Sequence, residues 1–354
     1  PYMGNKRGMN EKILKYVSSK YKTSKYDLYS VFIEKCIEFT KRNKMTAMIT
    51  QHTWMFLSSY SKLRRKLLGK VTIVNLLHLG PRAFEEISGE VVQTSAFIFR
   101  NIIIGEHKGV YDKLIDYSAQ EKESKFLSGE NRYNQIQQQD FLLAVGNPIV
   151  YWISRRVIEI MKNSTQLDNI CLMQNGPDSK GKNDIYFRFW YEVDQNKLKL
   201  DGLEFNERFT WFPLNKGGNI RWYGLNIYIA RKEFCNNSNF FRPGISWSDL
   251  SSNFNCKFIP AGFSFNNHGK MCFIDDDKMN YVLGFMNSLV ADIFVHLFTV
   301  KTKYEIGYVG KIPFIYDAQY ETQINTMVIN NIEISKIDWD SFETSWDFKN
   351  HPLL

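Results

Sequence analysis

Met45-Thr46-Ala47-Met48-Ile49-Thr50, then Leu57 to Leu68, then Thr72-Ile73-Val74-Asn75-Leu76-Leu77-His78-Leu79: this stretch decides the fold. The two outer runs are short and apolar, which reads as two strands. The run between them is helical in pattern and basic on one side, with Lys62, Arg64, Arg65 and Lys66. Strand, helix and strand in that order predict an α/β fold built on a doubly wound sheet. Downstream, Val91 to Ile104 alternates and is rich in branched and aromatic residues, so it reads as one or two further strands. Upstream, residues 3–22 read as a loop and a helix. Ser24 with Asp27 three positions on is close to a capping box. Leu28, Phe32, Cys36 and Phe39 then recur at helical spacing. The Rossmann-like expectation is the C-terminal half of a doubly wound sheet, with the earlier strands and the cofactor loop outside this sequence.

From Gly105 to Gln139 the chain turns polar, with Glu121-Lys122-Glu123-Ser124-Lys125 and Gln137-Gln138-Gln139, and reads as a linker or surface excursion. Pro148 opens a helix to about Met161, with Trp152, Val157 and Ile160 as its buried side. Beyond it come short aromatic strands, turns rich in Gly, Asn and Pro, and one long apolar helix from Met279 to Val300. The division that follows is residues 1–115, a connecting segment over 116–165, and an α+β domain over 166–354.

Hydrophobic residues make up 44% of the 354, which is the composition of a folded protein. No uninterrupted apolar run approaches a membrane span. The five cysteines are odd in number, widely spread and without a C-x-x-C pair, which predicts reduced thiols in a cytoplasmic protein. The histidines do not pair with them at zinc-ligand spacing, so no structural metal is expected. The net charge of +8 suits a polyanionic partner. Residues 1–26 carry seven Lys or Arg, Lys6 and Arg7 among them, against one acid, Glu11. They form either a solvated face or a phosphate-facing surface.

Four further stretches carry a resemblance: Pro1-Tyr2-Met3-Gly4-Asn5-Lys6; Ser24 to Glu34; Gln51-His52-Thr53-Trp54-Met55-Phe56-Leu57-Ser58-Ser59-Tyr60; and Glu90 to Phe97. In this order and spacing they resemble the PglX-type adenine-specific DNA methyltransferases of BREX phage defence, and the methylase half of type IIG restriction enzymes. Trp211 to Gly218 with Arg221-Trp222-Tyr223-Gly224, Phe241 to Ser248, and Leu283 to Ser288 look like the target-recognition region of that family. Pro1-Tyr2 then reads as the tail of an Asn-Pro-Pro-Tyr loop. The resemblance implies N6-adenine methylation with S-adenosylmethionine on a base flipped out of double-stranded DNA. Pro1 corresponds to the second proline and Tyr2 to the aromatic that stacks on the flipped ring. The hydrogen-bond acceptors for N6 and the cofactor loop fall outside the sequence, so this chain alone is expected to be inactive. Phe84 is the candidate for the other face of the base, or else a core residue. Gln51 and His52 follow a strand end, where ligands gather in such sheets, while Trp54 to Leu57 reads as packing.

In the second half, Asn215-Lys216-Gly217-Gly218-Asn219 reads as a loop whose glycines allow close backbone approach to another chain or to DNA. Lys216, Arg221, Trp222 and Tyr223 would face the duplex, the cations either holding phosphates or reading guanine. Arg242 joins this DNA-binding set. So do Lys180 and Lys182, from a loop over 175–183 that is longer and more basic than the family pattern. Other defence-system proteins are possible partners. The alternatives to methylation of DNA are a stand-alone DNA-binding specificity module, or a methyltransferase acting on RNA or protein glutamine.

Overall fold

A computed structural model describes residues 2–4, 8–84, 92–142, 146–200, 208–298 and 303–353. They form two compact units, Pro1–Asn163 and Ser164–Leu354.

In the first unit, helices α1 (Glu11–Lys20) and α2 (Leu28–Phe39) precede strand β1 (Met45–Gln51), helix α3 (Ser61–Leu68) and strands β2 (Thr72–Gly80), β3 (Thr94–Arg100) and β4 (Lys108–Lys113). Helix α4 (Ala119–Ser128), strand β5 (Arg132–Gln137) and helix α5 (Arg155–Asn163) complete it. The sheet order is β1-β3-β2-β4-β5. β2 and β4 run parallel, while β3 is antiparallel to both β1 and β2, so β1 and β2 point the same way. The strand–helix–strand stretch therefore makes a parallel crossover through α3, and β3 returns between its two strands. One core holds the unit together: Ile33 and Ile37 of α2, Trp54, Leu63 and Leu67 around α3, and Leu76, Phe97, Phe99, Tyr111 and Tyr151.

Three local expectations are corrected here. The cap of α2 is Asp27, whose carboxylate accepts from the Tyr29 amide, whereas Ser24 is buried and its carbonyl accepts from the Ser30 hydroxyl at 2.6 Å. The buried stripe of α2 is accordingly Tyr29, Ile33 and Ile37, and Phe32 and Phe39 are exposed. The stretch read as a linker instead carries α4, closed by a capping box of Ser118 and Glu121, and β5, which pairs antiparallel with β4. β5 is an edge strand, so its polar residues face water while Tyr133 and Ile136 pack on the core.

The second unit has two four-stranded sheets. Strands β6 (Leu172–Gln174), β10 (Gly244–Ser248), β11 (Cys256–Ile259) and β13 (Gly269–Phe273) are ordered β11-β10-β13-β6, all antiparallel. After the one-turn helix α6 (Asn183–Tyr186), strands β7 (Phe187–Phe189), β8 (Trp211–Asn215), β9 (Tyr228–Arg231) and β12 (Ser264–Phe265) are ordered β12-β8-β9-β7. Residues of both sheets share one aromatic core, with Phe212, Leu214 and Ala230 from one and Ile259, Met271 and Phe273 from the other. Helices α7 (Asp276–Met286), α8 (Leu289–Phe298), α9 (Ile306–Val309) and α10 (Glu321–Asp340) follow. The long helix expected from Met279 onward is in fact α7 and α8, bent by 72°. The break has a cause in side-chain chemistry. Asn287 pairs with both backbone groups of Cys256, at 3.0 and 2.9 Å, and the Ser288 hydroxyl accepts from the Ala291 amide to start α8. No single helix among the described residues is long and apolar enough to cross a membrane.

Candidate active site and recognition surface

Tyr2 is tied down by its neighbour. The Met3 amide donates to the Asp27 carboxylate at 3.0 Å and the Met3 carbonyl accepts from the Leu28 amide at 3.1 Å. One carboxylate thus both caps α2 and anchors the chain next to Tyr2. The Tyr2 ring lies 6.2 Å from Tyr29 and is 57% exposed, which leaves a face open to a ligand. Partial burial and the Asp27 charge both raise its phenol pKa. Pro1, Lys6 and Arg7 fall outside the described residues. Phe84 is 45% exposed, so the core alternative for it is set aside.

Behind Tyr2 runs a chain of buried polar contacts. The Tyr29 hydroxyl and the Thr53 hydroxyl are 2.7 Å apart. Next to Thr53, His52 Nδ1 lies 2.7 Å from His78 Nε2, and His78 Nδ1 lies 3.2 Å from the Tyr151 hydroxyl. His52 follows directly on β1 and His78 sits near the end of β2, so the pair joins the ends of two co-directional strands. Burial holds His52 down at about 4 and His78 well below the ordinary value, the latter also through His52 and Lys113. Both imidazoles are therefore neutral near pH 7. His52 faces inward and does not present itself to a ligand.

Arg64, on the basic helix α3, has a buried side chain. Nε donates to the carbonyls of Gly146 and Asn147, Nη1 to those of Trp54 and Leu57 at 2.9 and 2.7 Å, and Nη2 to Gly146 at 2.7 Å. It fastens the turn that follows His52 to the segment leading to Tyr151.

In the second unit the glycines of the Gly217-Gly218 turn approach protein, not a ligand. A Cβ on Gly217 would meet the His268 carbonyl at 2.7 Å, and one on Gly218 the Leu225 side chain at 2.2 Å. Asn215 is not a loop residue either: it is the buried end of β8, bonded to Ser246 at 2.7 Å. Beneath the turn Lys257 is fully buried and donates to the carbonyl of Gly224 at 2.8 Å, and burial pulls its ammonium down to about 7.

The four residues expected on the duplex separate. Tyr223 is buried, its hydroxyl pushed up to about 12 by burial and then Asp340, so it belongs to the core. Trp222, half-buried and in a left-handed conformation, lines an open apolar pocket of about 380 Å³ with Tyr281, Phe285 and Ile324. Lys216 is half-buried with its ammonium 4.4 Å from the Tyr228 ring centre, and burial lowers its pKa. Arg221 is exposed and grips Asn255 Oδ1 through Nε and Nη2 at 3.0 and 2.8 Å. Asn255 in turn donates to Asn219 at 2.7 Å. Arg242 is exposed, bonded to Asn239 and 5.2 Å from the Phe273 ring centre. Lys180 and Lys182 are exposed on the 175–183 loop.

Around the end of β4 the described residues offer S-adenosylmethionine no unpaired carboxylate. Ribose hydroxyls call for a free carboxylate at a strand end. The acids around the end of β4 are engaged, Asp112 with Arg132 at 2.9 Å and Asp116 with Lys113 at 3.2 Å.

The mixed α/β fold with several sheets is similar to that of solved restriction–modification enzymes. The chain matches the type IIL enzyme MmeI, solved in complex with DNA, with a TM-score of 0.61 at 10% identity, covering all of this chain and 51% of that one. It matches the type ISP enzyme LlaGI, solved with a DNA substrate mimic, with a TM-score of 0.55 at 11% identity over 94% of this chain and 41% of that one. Residues 1–84 match the Eco57I restriction-modification methylase family. Over its whole length the chain is 35% identical to the adenine-specific methyltransferase PglX of Lacticaseibacillus casei (strain Zhang), and 34% identical to the adenine-specific methyltransferase BrxX of Escherichia coli O9:H4 (strain HS). It covers 32% and 30% of those two proteins, so it spans about a third of their length. The resemblance read from the sequence is borne out: over its whole length the chain is similar to PglX-type adenine-specific methyltransferases.

Proposed function

We propose that this chain is part of a sequence-specific DNA N6-adenine methyltransferase of phage defence or restriction–modification. In this reading the first unit is the C-terminal part of the catalytic α/β sheet. The second unit is the target-recognition domain. S-adenosylmethionine supplies the methyl group and is bound mainly by polypeptide outside this sequence. The observation that carries the reading is the end-to-end similarity to two adenine-specific methyltransferases. The exposed Tyr2 ring, held through Met3 and Asp27, supports it as a platform for a flipped adenine. Phe84 is proposed for the opposite face. For the recognition unit, Lys180, Lys182, Lys216, Arg221 and Arg242 remain the proposed DNA contacts, and Lys6 and Arg7 are proposed as phosphate contacts.

The test is transfer of labelled methyl from S-adenosylmethionine to duplex DNA by the full-length polypeptide that carries this chain. Tyr2→Ala should lower turnover about ten- to a hundredfold, since stacking on one base is worth roughly 1–3 kcal/mol. Duplex affinity should stay near wild type. No methylated adenine in any duplex would overturn the reading, and an unchanged rate in Tyr2→Ala would remove Tyr2 from the site.

A further inference from the structure

The His52–His78–Tyr151 chain asks for a role, because two packed apolar side chains would fill the same space without burying polar groups. An imidazole pair does something an apolar pair cannot. It accepts only one separation and one mutual orientation, since one ring must donate where the other accepts. Here the separation is 2.7 Å, and His78 is held in turn by Tyr151 at 3.2 Å. Surrounding rings confine it further, with Phe56 5.5 Å from both imidazoles and Trp152 6.0 Å from His78.

What the pair connects gives it meaning. On one side, Thr53 adjoins His52 and bonds Tyr29, whose ring lies beside Tyr2. On the other, His78 lies two residues before Gly80, where β2 ends and the segment to Phe84 begins. We propose that the His52–His78 hydrogen bond, backed by Tyr151, is a positioning device that sets the spacing between Tyr2 and Phe84, and so the width of the slot for a flipped base. This rests on the methyltransferase reading above. The three residues are positioning residues and touch neither substrate nor cofactor.

The experiment uses the full-length polypeptide, a cognate duplex, and the same duplex with 2-aminopurine at the target adenine, whose fluorescence reports an unstacked base. His52→Leu should lower turnover at least tenfold and change the 2-aminopurine signal, with affinity for the duplex within about threefold of wild type. His52→Asn, which keeps a polar atom at the position of Nδ1, should restore most of the turnover. Tyr151→Phe removes a single oxygen at the far end of the chain and should lower turnover about threefold. It also serves if His52→Leu does not fold. Wild-type turnover and fluorescence in His52→Leu or, where that variant is unfolded, in Tyr151→Phe would overturn the proposal. A loss in His52→Leu that falls equally on affinity and is not rescued by Asn would overturn it too. A wild-type protein that methylates no DNA would instead sink the reading beneath it.

Discussion

Replacing Arg64 with Met should cost the first unit about 3–5 kcal/mol. The methionine keeps most of the aliphatic stem, so packing changes little and the loss is polar. Five hydrogen bonds to four backbone carbonyls disappear: those of Trp54, Leu57, Gly146 and Asn147. A hydrogen bond to a charged group is worth roughly 1.5–3 kcal/mol net, but such values do not add, and water can reach some of the freed carbonyls. Several charge-assisted bonds go at once, so the loss exceeds that of one such bond and comes to about 3–5 kcal/mol. Against a total stability of roughly 5–15 kcal/mol this is a large fraction. Arg64→Lys keeps the charge but offers three donors from one point, and should lose about half as much. Urea unfolding followed by the fluorescence of buried Trp54 measures both. Hydrogen exchange at the Ile149 amide, which donates to the Met55 carbonyl at 2.9 Å across the same junction, should accelerate in Arg64→Met. A cost under about 1 kcal/mol, with Ile149 still protected, would refute the assignment of Arg64 as the latch of this turn.

Two other outcomes follow. The folded state disfavours the charged form of His52, so between the ordinary 6.5 and about 4 the unfolded chain binds the extra proton and stability falls as pH falls. For His52 this amounts to roughly 3 kcal/mol across that window, and His78 adds to it in the same direction. Urea midpoints at pH 7 and pH 4.5 check it, and the slope should flatten in a His52→Leu, His78→Phe double variant. Lys216→Ala and Arg221→Ala, tested in the full-length polypeptide, should each weaken duplex binding and reduce the slope of log K against log salt by about one if they hold phosphates. A loss confined to the cognate site, roughly 1–3 kcal/mol, would instead assign base reading, and unchanged affinity and slope in both variants would place recognition elsewhere.

Much of the fold was legible in the residues because it depends on local pattern. The strands β1 and β2 and the helix between them follow from apolar runs and helical spacing. The kinship was legible too, since motif order and spacing are properties of the chain alone. What only the tertiary structure decided are contacts between residues far apart in sequence. His78 falls in the buried phase of β2, two residues from Leu76, and so reads as a core histidine. Its meeting with His52 depends on β1 and β2 running the same way, with β3 returning between them. Arg64 looked like one more cation on a basic helix because its partners at 146 and 147 lie some eighty residues downstream. Trp222 and Tyr223 looked like a recognition loop because they follow a lysine and two glycines. A positive φ at Trp222 and its backbone bonds to Cys256 and Phe258 leave Trp222 half-buried and put Tyr223 in the core. Residue type sets what a side chain can do, but burial sets whether it faces water or protein, and burial is a property of the packed whole.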